Sequence, residues 1–139
     1  MNIQQKIKSM IRDVPDFPTK GIIFKDITPI LKDATLCAEI VDGFIEKLKG
    51  VKIDAIVCTE SRGFFFGFLL ANRMKLPLIP LRKAGKLPNK TISCEYDLEY
   101  GKACVEMHAD ALEKGWNVLV HDDLLATGGT TAATCALLE

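Results

Sequence analysis

The 139-residue chain has no excess charge of either sign: eighteen Lys and Arg balance eighteen Asp and Glu. Without net charge there is no broad field to draw it to nucleic acid or to a membrane surface, and neither is expected as a partner. Its five cysteines, Cys37, Cys58, Cys94, Cys104 and Cys135, contain no Cys-x-x-Cys pair and are odd in number. That argues against a disulfide framework and for reduced thiols in the cytoplasm. The only histidines are His108 and His121, and they form no metal-ligand cluster with any cysteine pair. No apolar run follows Lys6 and Lys8, so no secretory leader is visible. Two phosphate-binding signatures are missing as well. No Lys follows Gly129, which excludes a Walker A loop, and the adjacent Gly128 and Gly129 do not make a GxGxxG fingerprint.

What is present is 48% hydrophobic and 26% charged, the balance of a soluble globular protein, expected as one domain over residues 1–139. Ile3, Ile7, Ile11 and Val14 predict an amphipathic helix over 3–14, ended by Pro15 and Pro18. Ile22-Ile23-Phe24, set between turn residues, reads as a surface loop with a hydrophobic anchor. A second helix over 33–49 has Asp33 as its N-cap and Leu36, Ile40, Val41, Phe44 and Leu48 as its apolar stripe. The run Ile53–Cys58 is a strand buried on both faces, as in a parallel sheet. A polar loop, Thr59–Gly63, leads from it into an apolar helix to Met74 whose phenylalanine cluster, 64–66 and 68, is expected in the core. Pro77–Leu81 is the next strand, and the alternation over 91–108 suggests two strands of a hairpin-like flap with the Asp97–Gly101 region between them.

The richest stretch runs from Val118 to Thr131. A short apolar strand is followed by Asp122 and Asp123, then by Leu-Leu-Ala-Thr-Gly-Gly-Thr-Thr, then by a helix start. Small residues at a helix N-terminus expose backbone N–H groups and the positive end of the helix dipole, the physics of a phosphate cradle. Two acids beside a phosphate must serve something neutral or cationic, either sugar hydroxyls or a metal ion. A phosphate and a diol held one turn apart describe a ribose 5-phosphate. The plainer alternative is that the acids and glycines simply turn the chain. Other features also read two ways. Arg62 either meets an anion or pairs with Glu60 or another acid. Arg82, Lys83, Lys86 and Lys90 are either a solvated face or a site for a diphosphate.

Five segments then point to one family. DDLLATGGT resembles the phosphoribosyl-diphosphate (PRPP) motif of purine phosphoribosyltransferases, in the form found in the adenine phosphoribosyltransferase family. FPTKGIIFKDITP, ESRG, RKAGKLP and EYGK are similar to that family's other motifs, with Ala84 and His121 as departures. The resemblance implies an α/β type I phosphoribosyltransferase fold, a mainly parallel sheet flanked by helices, with a flexible flap over 83–102. It implies transfer of the phosphoribosyl group of PRPP to adenine, giving AMP and pyrophosphate, with Mg²⁺ present and no direct protein ligand assigned to it. By the same resemblance Glu99 is the acid/base group and Asp122 and Asp123 hold the ribose. Ala126, Thr127, Gly128, Gly129, Thr130 and Thr131 hold the 5-phosphate. Ser61, Arg62, Arg82, Lys83 and Lys86 meet the pyrophosphate, while Ile23, Phe24, Lys25 and Leu124 face adenine and Tyr100 belongs to the flap. Relatives are commonly homodimers. They also continue past the helix in which this chain stops, about two turns after the loop. An exposed sheet edge beside 118–121 is therefore expected, with a catalytically impaired short form or a PRPP-binding regulator as alternative readings.

Overall fold

A computed structural model describes residues 1–98, 101–124 and 129–139. The chain divides into two compact units, Met1–Lys49 and Gly50–Glu139.

The first unit opens with helix α1, Ile3–Met10. Its start is fixed by a capping box: Asn2 Oδ1 accepts from Gln5 N–H, and Gln5 Oε1 accepts from Asn2 N–H, each at 2.9 Å. The helix stops short of the expected Val14, because the next residues are taken by a sheet. Strand β1, Arg12–Pro15, pairs antiparallel with β2, Ile23–Asp26. The register sets Arg12 opposite Asp26 and Asp13 opposite Lys25. Both pairs are ionic, at 2.9 Å between Arg12 Nη2 and Asp26 Oδ2 and 2.6 Å between Lys25 Nζ and Asp13 Oδ1. The segment expected as a surface loop is thus half of a small sheet. Charge pairing between strands selects it, a signal that hydrophobic periodicity does not carry. A short helix α2, Thr28–Leu31, precedes α3, Ala34–Lys47, whose N-cap Asp33 accepts from Leu36 N–H at 2.9 Å as expected. Leu36, Ile40 and Val41 form the buried face of α3.

The second unit is built on a five-stranded sheet in the order β5-β6-β4-β3-β7. Strand β3, Ala55–Thr59, lies between β4, Leu78–Lys83, and β7, Val118–His121, and is parallel to both. Its residues 55–58 have no exposed surface, which explains their unbroken apolar run. Strands β5, Thr91–Leu98, and β6, Gly101–His108, form an antiparallel hairpin from Thr91↔His108 to Leu98↔Gly101. Strand β6 also joins β4 antiparallel, with Arg82 opposite Glu106. The sheet is therefore mixed: β4, β3 and β7 are parallel, and the flap hairpin supplies the antiparallel part. Among the described residues β7 pairs only with β3 and ends the sheet.

Helix α4, Gly63–Met74, packs on β3 and β4. It buries Gly63, Phe66, Gly67, Leu70 and Ala71. Phe65 and Phe68 are exposed, at 41% and 61%, so the phenylalanine cluster is not all core. A helix of 3.6 residues per turn turns only one stripe inward, and consecutive aromatics cannot share it. Helix α5, Gly129–Leu138, lies against β5 and also reaches β6 and β7. Its Leu137 and Leu138 pack on a core of Ala55, Val57, Ile79, Leu81, Val105 and Met107.

Candidate active site

Because β3, β4 and β7 run parallel, their carboxyl ends meet at one edge of the sheet, where open α/β folds place ligands. Each end delivers residues singled out in the sequence. β7 runs straight into Asp122 and Asp123. β3 runs into Glu60-Ser61-Arg62-Gly63, with a cis peptide between Glu60 and Ser61. β4 ends in Arg82 and Lys83.

The first two ends touch. Arg62 Nε lies 3.0 Å from Asp123 Oδ2, so Arg62 meets an acid, the second aspartate. Asp122 Oδ1 accepts from Asp123 N–H at 2.7 Å. Burial, together with the neighbouring Asp123, pushes the Asp122 carboxyl up to about 6 from its usual 3.8. Gly63 makes this proximity possible: a Cβ there would stand 3.2 Å from Asp122 Oδ1 and 3.4 Å from its Cα. One turn further along α4, a Cβ on Gly67 would collide with Cys58 Sγ and stand 3.3 Å from His121 Cδ2. His121, the residue out of keeping with the family pattern, thus lies where helix and sheet pack closest. Burial lowers its pKa against the opposing pull of Asp123, which keeps the imidazole neutral near pH 7. Burial and the charge of Asp122 drive the Cys58 thiol up to about 12, so it packs as an inert group.

The β3 and β4 ends are joined by a residue that the sequence reading did not select. Glu60 Oε1 accepts from Lys83 N–H, while Oε2 faces Arg82 Nη2 at 3.4 Å and Lys86 Nζ at 3.5 Å. Burial alone would raise this carboxyl, but the Lys83 N–H and the two cations outweigh it and hold it below its ordinary value. The signal available in the sequence was the acid opening ESRG, which draws less notice than the arginine beside it.

The basic loop after β4 is fastened at both ends to β6. Glu106 accepts from Gly85 N–H through one oxygen and from Thr91 Oγ1 through the other, each at 2.6 Å. Ala84 N–H donates to Cys104 O at 3.1 Å, and His108 Nε2 lies 2.6 Å from Pro88 O. His108 is therefore a local strap for the loop.

The remaining candidates fall on other elements. Ile23, Phe24 and Lys25 lie on β2 in the first unit. Ile23 is 61% exposed, Phe24 stacks edge-on against Phe17 at 5.1 Å, and Lys25 pairs with Asp13. Ser61 and Leu124 are exposed. Gly129, Thr130 and Thr131 open α5. Glu99, Tyr100, Ala126, Thr127 and Gly128 lie outside the described residues. Among those described, no three His, Cys, Asp or Glu residues gather as a metal cage, although Asp122 and Asp123 make a carboxylate pair.

Comparison with known proteins gives a consistent result. Residues 25–139 match the phosphoribosyl transferase domain family. An adenine phosphoribosyltransferase of Cytophaga hutchinsonii is 53% identical over 137 residues, covering 99% of this chain and 76% of that protein. One from Flavobacterium johnsoniae is 54% identical over 134 residues, covering 96% and 79%. Among solved structures, the adenine phosphoribosyltransferase of Thermoanaerobacter pseudethanolicus superposes with a TM-score of 0.94 at 50% identity, covering 99% of this chain and 79% of that one. The Saccharomyces cerevisiae enzyme, solved with an imino-altritol bisphosphate and adenine, gives 0.92 at 40% identity, covering 98% and 80%.

Proposed function

The chain belongs to the adenine phosphoribosyltransferase family, and from that premise we propose how its own residues join adenine to the C1 carbon of PRPP, releasing pyrophosphate and forming AMP. The reading rests most on one observation: the ends of β3, β4 and β7 bring Arg62, Arg82 and the Asp122–Asp123 pair to a single edge of the sheet. A regulator that binds PRPP without turnover is not favoured, since the relatives are named as enzymes.

Breaking the bond from C1 to the diphosphate oxygen leaves positive charge on the ribose ring and negative charge on the departing pyrophosphate. Asp122 and Asp123 hold the ribose hydroxyls, and their negative field favours the charge developing on the ring. Arg62, Arg82, Lys83 and Lys86 receive the pyrophosphate, with Ser61 beside them. Arg62 then exchanges part of its contact with Asp123 for the ligand, which couples the two subsites. Ala126–Thr131 bind the 5-phosphate, and this remote binding energy aligns C1 for attack. Ile23, Phe24, Lys25 and Leu124 face adenine, Glu99 handles its proton, and Tyr100 travels with the flap that excludes water.

Magnesium belongs to the same reading. Mg²⁺ retains waters and is bound by one or two carboxylates plus substrate phosphates, a donor set that Asp122 and Asp123 fit. When bound it neutralises charge on the diphosphate. The single functional domain is supported by a family match that begins at Lys25 and runs to Glu139. Homodimerisation is supported by the exposed Phe65, Phe68 and Leu69 on α4. A cytoplasmic location is supported by five free cysteines, and no helix among the described residues is long and apolar enough to cross a membrane.

The test is direct. Incubated with PRPP and Mg²⁺, the protein should form nucleotide with adenine and not with guanine or hypoxanthine. Glu99→Gln should lose turnover while retaining PRPP binding. Nucleotide from the other purines alone would refute the adenine assignment, and undiminished turnover in the variant would remove Glu99 from its role.

A further inference from the structure

We propose that Glu60 is a positioning residue for the diphosphate: its enclosed negative charge holds Arg82 and Lys86 at the end of β4, with their charges turned toward the ligand. The inference rests on the reading of Arg82 and Lys86 as diphosphate-binding residues.

Three facts carry it. The Glu60 side chain is only 9% exposed, whereas those of Arg82 and Lys86 are 35% and 51% exposed. The carboxylate thus stands behind the cations, and a ligand arriving from solvent meets the cations first. Next, the two carboxylate oxygens have different duties. Oε1 is held by the Lys83 N–H, a backbone group at the end of a strand, so the carboxylate is fixed to the sheet. Oε2 alone faces the cations, at 3.4 and 3.5 Å, beyond the range of a strong charge-assisted hydrogen bond. Arg82 and Lys86 are therefore kept close but not locked, and each can turn to a phosphate oxygen without Glu60 moving. Last, the residues so gathered start from separate elements, Glu60 from the loop after β3 and Lys86 from the loop after β4. Arg82 Nη1 also lies 3.5 Å from Lys86 O, which draws that loop back toward the strand end. Without the charge of Glu60, two long side chains and a glycine-containing loop must be ordered by the ligand itself, and affinity falls by that ordering cost.

Glu60→Gln isolates the charge. The amide has the same size and its carbonyl still accepts from the Lys83 N–H, so only the hold on Arg82 and Lys86 is lost. With Mg²⁺ present, pyrophosphate binding to this variant by calorimetry should weaken about five- to tenfold, and KM for PRPP should rise in parallel. KM for adenine and the Kd of AMP should not change. Glu60→Asp keeps the charge and should retain most of the affinity. It also serves as the second variant if the amide disturbs folding. Arg82→Ala reports on the underlying reading. If Arg82→Ala weakens pyrophosphate binding but Glu60→Gln binds as the parent does, or more tightly, the role given to Glu60 is wrong and the diphosphate site stands. Equal losses for pyrophosphate, adenine and AMP in Glu60→Gln would also overturn it, as a general structural effect. Unchanged binding in Arg82→Ala, or no pyrophosphate binding by the parent, would overturn the site and the inference together.

Discussion

Asp122 shows how local packing changes what a side chain can do. The close approach of α4 at Gly63 and the neighbouring Asp123 leave its carboxyl little water, and its pKa rises to about 6. The direction fixes a stability effect. An unfolded chain releases this proton near 3.8, whereas the folded chain retains it until about 6. Between those values the folded form binds more protons, so stability falls as pH rises through that window and stays lower above it. Asparagine mimics the neutral acid and keeps the acceptor for Asp123 N–H. Asp122→Asn should therefore melt a few degrees above the parent at pH 7.5, with the gap closing below about pH 4. A gap of the same size at both pH values would contradict the stated cause. The placement of Asp122 and Asp123 at a strand's end was legible in the sequence because the acidic pair follows directly on a short apolar run. Glu60 was not, because its role depends on a backbone N–H from β4 that no local pattern reveals. His121 stood out as a departure, but its place against Gly67 follows from helix packing that spacing alone does not specify.

At the scale of elements, α4 is seated on the sheet by a glycine. In an isolated helix, replacing Gly67 by alanine would add about 1 kcal/mol of stability. Here the new methyl collides with Cys58 Sγ, and Cys58 Cβ lies 3.2 Å from it. Overfilling such a contact typically costs about 1–3 kcal/mol, which exceeds the helix gain. Gly67→Ala should lower the urea midpoint, and adding Cys58→Ala should restore part of the loss by removing the sulfur. A raised midpoint in the single variant would show that the helix moves aside freely. The helices and the parallel strands were readable because their apolar spacing coincides with what they bury. The end of α1 was misplaced because Ile11 and Val14 continue its period, while Arg12 and Asp13 are claimed by partners on β2. The flap hairpin was anticipated from alternation, and β5 ends at Leu98 and β6 starts at Gly101, inside the region 97–101 expected between them.

For the whole molecule, the expected fold class is the one observed, an α/β fold in which Arg62, Arg82 and the Asp122–Asp123 pair stand at the ends of parallel strands. The antiparallel part of the sheet was less apparent, since joining β6 to β4 is a long-range choice. That difference between near and far pairing has a consequence for the order in which the structure assembles. The flap hairpin joins neighbours in the chain and closes a short loop, whereas the central pairing sets Ala55 opposite Val118. Long loops are entropically slow to close, so the hairpin forms early and the β3–β7 pairing late. During synthesis most of the chain must emerge before the two acids can reach Arg62. In a pulse-labelled refolding reaction, amides of residues 103–107 should gain protection before those of 118–121. Simultaneous protection would mean that the sheet closes in one step. Until β7 docks, a newly made chain has its hairpin in place but keeps Asp122 and Asp123, the residues proposed to hold the ribose, apart from Arg62.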